Sequence, residues 1–117
     1  MVKKLAIALL GVVLLFNSCY NDKEELLYPD GVNCSTIGAQ YVAHVSPIIQ
    51  TRCAIDGCHE SGSTNGPGAL TTFDQVKNAA VQIRSAVVSR FMPEGGSLTT
   101  TEIRIISCWV DSGAPKN

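Results

Sequence analysis

The sequence predicts an all-α domain, built of several short helices joined by long loops. Three observations lead there. Apolar residues recur at three- and four-residue steps over 41–52, 73–91 and 100–110, the period of a helix with one buried face. Capping residues stand at or before these stretches: Ser46-Pro47, Thr72, and Thr99 with Glu102 three residues on. Helices begin at such residues because a side-chain oxygen satisfies N–H groups that have no partner within the helix. Segments rich in Gly, Ser, Asn and Pro separate the stretches, and strand-type alternation is scarce.

The first 33 residues stand apart from that pattern. Lys3 and Lys4 are followed by an apolar run from Leu5 to Phe16, then by Asn17, Ser18 and Cys19. The run is too short for a membrane-spanning helix, which needs about 20 residues. Charge, short apolar stretch and small residue make a secretory signal. The cysteine directly after Ser18 resembles the cleavage site of a bacterial lipoprotein signal, which implies cutting before Cys19 and lipid on its sulfur. An ordinary signal with Cys19 uninvolved is the alternative. Residues 1–18 are thus read as a lipoprotein signal peptide, 19–33 as a lipidated N-terminus and tether, and 34–117 as the folded domain. The mature chain would carry seven Lys/Arg against ten Asp/Glu. Lipid at Cys19 would hold it to a membrane surface, at about 0.8 kcal/mol per buried CH₂. The polar stretch from Tyr20 to Asp30, with Lys23-Glu24-Glu25, resembles surface-export signals of some Gram-negative lipoproteins or is a solvated linker.

The whole chain has 117 residues and a formal net charge of −1, enough for one small domain. Without a basic excess it lacks the footprint of a nucleic-acid binder. With 6% aromatics it lacks a stacking platform for single strands.

Within the domain, Val42, Val45, Ile48 and Ile49 form one stripe over 41–52, with Ser46 as N-cap and Pro47 at the first helical position. Residues 61–68 read as a surface loop. Thr72 caps a second helix from Phe73, with Val76, Ala79 and Ala80 on one face. Val81 to Phe91 continues helically, with Ile83, Val87 and Phe91 at four-residue steps, until Pro93-Glu94-Gly95-Gly96 breaks the chain. Thr99 and Glu102 open a last helix that carries Ile103, Ile106, Trp109 and Val110, and Gly113 and Pro115 end it. A domain this small buries only some 60–70% of its unfolded surface. A disulfide, a metal or a large buried cofactor is therefore expected to help.

Cys53-Ala54-Ile55-Asp56-Gly57-Cys58-His59 is the segment that carries chemistry. Two cysteines followed at once by a histidine is the arrangement of covalent haem attachment. Each thiol adds across a haem vinyl group, and the adjacent imidazole reaches the iron. Four residues separate the cysteines where two are usual, and Gly57 permits the bulge this requires. Further on, Met92 precedes Pro93 and is the one methionine after residue 18. Pro93 favours an extended backbone at Met92, which helps present the thioether as a second axial ligand. A Met/His pair raises the iron potential and suits electron transfer. Core filling is the alternative for Met92. His44 is the alternative sixth ligand, or a surface residue. Arg90 is read as a partner for a haem propionate or as a solvated side chain, and Trp109 as core against the haem edge.

These residues, with their order and spacing, resemble small single-haem c-type cytochrome domains on bacterial lipoproteins, common in the Bacteroidetes. The similar stretch runs from about Cys34 to Asn117. Its pieces are Val45-Ser46-Pro47-Ile48-Ile49, Gly57-Cys58-His59, Leu70-Thr71-Thr72-Phe73, Met92-Pro93, Leu98 through Glu102, and Cys108-Trp109-Val110-Asp111-Ser112-Gly113-Ala114-Pro115. The resemblance implies a helical cytochrome c-like fold and electron transfer. It makes Cys53 and Cys58 the thioether residues, His59 the proximal ligand and Met92 the distal ligand, with haem c as cofactor. It also implies a redox protein or electron-transfer complex as partner, no enzymatic activity, and a place in the cell envelope, lipid-anchored on a periplasmic or outer-membrane face of a Gram-negative bacterium.

With Cys19 lipidated and Cys53 and Cys58 on haem, Cys34 and Cys108 remain. Outside the cytoplasm such a pair oxidises, and the bridge would contribute about 3–5 kcal/mol in the chain-entropy model. Two unpaired thiols are the alternative. Two other functional classes stay open. One is a haem sensor or peroxidase, if Met92 is not a ligand. The other is a haem-free binding module, with Cys53 and Cys58 in a local disulfide or joined with His59 around zinc, the fourth ligand coming from Cys34, His44 or Cys108.

Overall fold

The computed structural model describes residues 33–117. The expected signal peptide (1–18), Cys19 and the tether up to residue 32 lie outside the described residues. Every regular element among the described residues is helical, so the domain is all-α. A single 3₁₀ turn, Cys34–Thr36, is capped by Asn33, whose Oδ1 accepts from the Ser35 N–H at 3.1 Å. A π-helical turn, Tyr41–Val45, runs directly into α1, Ser46–Arg52. After a long loop come α2, Phe73–Asn78, and α3, Ala80–Val88; α4, Thr100–Asp111, closes the domain. No described helix is long and apolar enough to cross a membrane.

Ser46 is not the N-cap that the sequence predicts; it lies inside a helical run that already began at Tyr41. The cause is Pro47. A proline inside a helix removes a donor, and its ring crowds the carbonyl four residues back. The preceding turn widens in response: the Val45 N–H bonds the Gln40 carbonyl at 3.1 Å, and the Ser46 N–H bonds the Tyr41 carbonyl, the spacing of a π turn. The helix start is capped from the far end of the chain. The Tyr41 N–H donates to Asn117 Oδ1 at 2.8 Å, and the Val42 N–H to the Asn117 carbonyl at 2.9 Å.

Thr72 caps α2 as expected and does so in a reciprocal box with Gln75: the Gln75 N–H donates to Thr72 Oγ1 at 3.3 Å, and the Thr72 N–H to Gln75 Oε1 at 3.0 Å. The helical run expected through Phe91 is interrupted at Ala79 and stops at Val88. Arg90 adopts the left-handed conformation, φ +57°, and both Phe91 and Met92 donate their N–H groups to the Ala86 carbonyl. This closes the helix end. Ile83 and Val87 keep the buried stripe, but Phe91 is turned out and 73% exposed.

α4 begins with the expected capping box. The Thr99 N–H donates to Glu102 Oε2 at 2.7 Å, and the Glu102 N–H donates to Thr99 Oγ1 at 3.2 Å. Ile103, Ile106 and Trp109 are essentially fully buried, and α4 packs against α3 and the π turn. Tyr41 meets the Phe73 ring edge-on with centroids 4.8 Å apart and lies 5.5 Å from Trp109. The indole N–H donates to the Pro115 carbonyl at 2.9 Å, so no polar atom of the tryptophan is stranded. Gly113, at φ +94°, turns the chain off the helix. A disulfide joins Cys34 to Cys108, 74 residues apart in sequence, with Cα atoms 5.4 Å apart.

Two predictions follow from this packing. A Cys34→Ala/Cys108→Ala double variant loses about 3–5 kcal/mol of unfolding free energy in urea titrations. Glu102 also makes stability acid-sensitive. The Thr99 N–H bond, with Arg52 nearby, holds its carboxyl below the ordinary value of 4.5. Its contribution is complete above pH 4.5 and is lost as pH falls through the lowered value. Glu102→Gln, which keeps the box, therefore flattens the fall of Tm below pH 4.5.

Candidate functional site

A cavity of about 550 Å³ opens between the loop after α1, the side of α3 and the segment that follows α3. Ligand pockets range over roughly 300–1,000 Å³. Cys53, Cys58, His59 and Met92 all line it, so the four residues singled out for haem attachment and iron ligation share one space.

The loop that carries the first three is cross-braced. Its N-terminal end hangs from α1, where the Cys53 and Ala54 N–H groups both donate to the Ile49 carbonyl. The Cys58 N–H donates to the Ile55 carbonyl at 3.0 Å, and the His59 N–H returns to the Cys53 carbonyl at 3.0 Å. The bulge between the cysteines turns at Gly57, φ +77°, a conformation that costs other residues about 1–2 kcal/mol. Side chains then replace missing secondary structure. Ser63 Oγ and Asn65 Nδ2 donate to the Cys58 carbonyl at 2.6 and 3.0 Å, and Glu60 Oε1 accepts the Gly57 N–H at 3.0 Å.

His59 is buried, and its Nδ1 lies 2.8 Å from the Gly68 carbonyl oxygen. A carbonyl only accepts, so Nδ1 carries a proton, and the lone pair of the neutral ring is the one on Nε2. No hydrogen bond among the described residues ends on Nε2. This is how metal-ligating histidines are held, with the second nitrogen bonded to fix tautomer and ring plane.

Cys53 and Cys58 are both free thiols, not bonded to one another. Burial, and secondarily the neighbouring Cys58, pushes the Cys53 thiol up to about 11. It is therefore protonated at neutral pH. Met92 is half-buried in the segment pinned to the Ala86 carbonyl. Leu70 and the α3 residues Ile83, Ala86 and Val87 supply an apolar wall.

Other sequence-predicted residues lie elsewhere. His44 is exposed on the π turn, outside the cavity lining, and its Nδ1 accepts the Gln40 N–H at 3.1 Å. Arg90 does not line the cavity either; its Nη1 donates to the Leu98 carbonyl at 3.4 Å. Trp109 is core as expected, but it packs under Tyr41 and not along the cavity. Cys34 and Cys108 are consumed by their disulfide. Among the described residues no group of three His, Cys, Asp or Glu side chains is placed to hold a metal ion. Arg52 and Gln82 line the cavity and escaped the sequence reading. The one signal for Arg52 was its place directly before Cys53.

The chain matches no family model, no curated protein and no solved structure. The donors in the cavity are two thiols, one imidazole and one soft thioether beside an apolar wall, the residue types that covalent haem attachment and axial ligation would use. In haem-free protein, iodoacetamide at pH 8 is expected to label Cys58 well before Cys53. Burial and a thiol ionised only about one part in a thousand both protect Cys53. Peptide mapping over time reads the order, and the Cys53 rate rises steeply up to about pH 11.

Proposed function

We propose that this chain is a membrane-anchored electron carrier with one covalently attached haem, built on a cytochrome c-like arrangement of its short helices. The observation that carries the reading is the meeting of Cys53, Cys58, His59 and Met92 in one cavity, with His59 Nδ1 committed to the Gly68 carbonyl. Cys53 and Cys58 would hold haem through thioether bonds, and His59 and Met92 would be the axial ligands. Bound haem supplies one-electron cycling of its iron, at a potential raised by a Met/His pair.

The chain's own residues account for the rest. Gly68 fixes the imidazole, which limits rearrangement during transfer. Ile83, Ala86 and Val87 keep water from the cavity wall. Phe91, exposed beside Met92, offers an apolar contact for a redox protein partner. Lipid on Cys19 would keep the domain at the envelope surface of a Gram-negative bacterium. The haem-free alternative with a Cys53–Cys58 disulfide has less support, since those two thiols are unlinked.

The test is a haem stain on a denaturing gel after expression with cytochrome c maturation machinery, because only covalent haem survives. The wild type is expected to stain, and Cys53→Ala/Cys58→Ala is expected not to. An unstained wild type beside a stained control cytochrome overturns the proposal. Met92→Ala is expected to keep the stain and to acquire a CO-induced change in the reduced visible spectrum. The wild type should show none; a wild type that binds CO is instead a sensor or peroxidase.

A further inference from the structure

The Cys34–Cys108 bridge fastens a segment that has little else to hold it. Among the described residues, every hydrogen bond made by 33–39 stays within that segment. Asn33 accepts from Ser35 and Thr36, and the Ile37 N–H donates to the Cys34 carbonyl. None of these residues is buried, and only Ala39 packs against the core. Firm attachment begins at Tyr41, which is buried, bonded to Asn117 and in contact with Trp109. A second cavity, of about 340 Å³, lies between residues 38–40 and Ser112, Pro115 and Asn117, with both cysteines of the bridge in its wall. Cys34 is half-buried there, whereas Cys108 is only 4% exposed. An incoming thiolate therefore meets Cys34 Sγ, and Cys108 is the leaving sulfur. Access of this kind separates labile disulfides from inert ones.

We propose that the bridge is a thiol–disulfide exchange site, whose reduction by a dithiol releases residues 33–38 and leaves α4 seated. One thiolate of the dithiol attacks Cys34 Sγ. The Cys34–Cys108 bond breaks, and Cys108 leaves as a thiolate and takes up a proton. The second thiol of the dithiol then closes onto its own first sulfur and frees Cys34 as a thiol. Two electrons pass from the dithiol, which departs as a disulfide, to the two cysteines. α4 keeps its place because its buried residues Ile103, Ile106 and Trp109 and the indole bond to Pro115 do not involve the bridge. In the chain-entropy model the bridge acts on the unfolded state, so its loss lowers global stability without removing those contacts. On the lipid-anchor reading, on which this consequence alone rests, the tether then leaves the domain at Tyr41 instead of Cys34. The freed stretch adds at most about 25 Å of reach.

The experiment uses the full chain, purified after expression with cytochrome c maturation machinery. Any free thiol is first capped with N-ethylmaleimide. Dithiothreitol is added with and without denaturing urea, and peptide mapping follows the appearance of the Cys34 and Cys108 thiols over time. The native rate is expected within about tenfold of the rate in urea. A bridge that opened only through global unfolding would react about 10³-fold slower or worse, the scale of the folding equilibrium constant. Proteinase K, with dithiothreitol present, is then expected to trim the reduced chain to a resistant core. That core begins between Ala39 and Tyr41 and still contains Cys108. In the oxidised chain the core keeps a Cys34 peptide through the bridge. A native rate slowed about 10³-fold, a reduced core that still begins before Cys34, or a reduced chain digested through α4 each overturns the proposal. A chain that takes no haem stain overturns the proposed function and leaves this test intact, since neither readout depends on haem or lipid.

Discussion

Three hydrogen bonds hold His59, and the cavity is organised around them. The backbone N–H reaches the Cys53 carbonyl, the backbone carbonyl receives the Leu70 N–H at 2.9 Å, and the ring reaches the Gly68 carbonyl. These bonds tie both ends of a long loop to a single residue. A loop lining a cavity must still satisfy its peptide groups, and here side chains of Ser63, Asn65 and Glu60 do so where no helix is available. Gly57 and Gly68, both at positive φ, let the chain make the turns that the bonding demands. The placement of both thiols follows from the same set of bonds.

The rest of the fold holds that loop against α3. The helices are short, between 6 and 12 residues, and helices of such length are marginal in isolation. Their stability therefore comes from packing and from links between distant segments. Trp109 and Tyr41 join the last helix to the first, Asn117 caps the first helix from the other end of the domain, and the Cys34–Cys108 bridge ties the opening turn to α4. The Arg52–Glu102 pair adds a contact between the end of α1 and the start of α4 at the cavity's edge. Core and site share these elements, so a change in the seating of α4 also reaches the cavity.

Much of the helical pattern was legible because its signals are local. Thr72, Thr99 and Glu102 mark helix starts within one turn, and Ile83, Val87, Ile103, Ile106 and Trp109 mark buried faces by period alone. The misreadings came where a local signal met a non-local partner. Ser46-Pro47 has the chemistry of a helix start, but Asn117 caps the chain five residues earlier, and the proline instead widens the turn before it. Phe91 continues the four-residue step, but the left-handed Arg90 ends the helix first. Arg90 was singled out because it is near Met92 in sequence, but the direction in which the chain leaves α3 sends it to the Leu98 carbonyl.

By itself the sequence determined the chemical groups and their local setting: two thiols beside an imidazole, a thioether before a proline, and caps that begin two helices where it placed them. Residue type and spacing within a turn or two carry that information, because capping and amphipathicity act over that range. Only the tertiary structure decided that Met92 shares a cavity with His59, 33 residues away. It likewise decided which imidazole nitrogen is free and which arginine lines the wall. Those outcomes depend on where separate helices pack against one another, and the energy of that packing is spread over the whole core rather than written in any one segment.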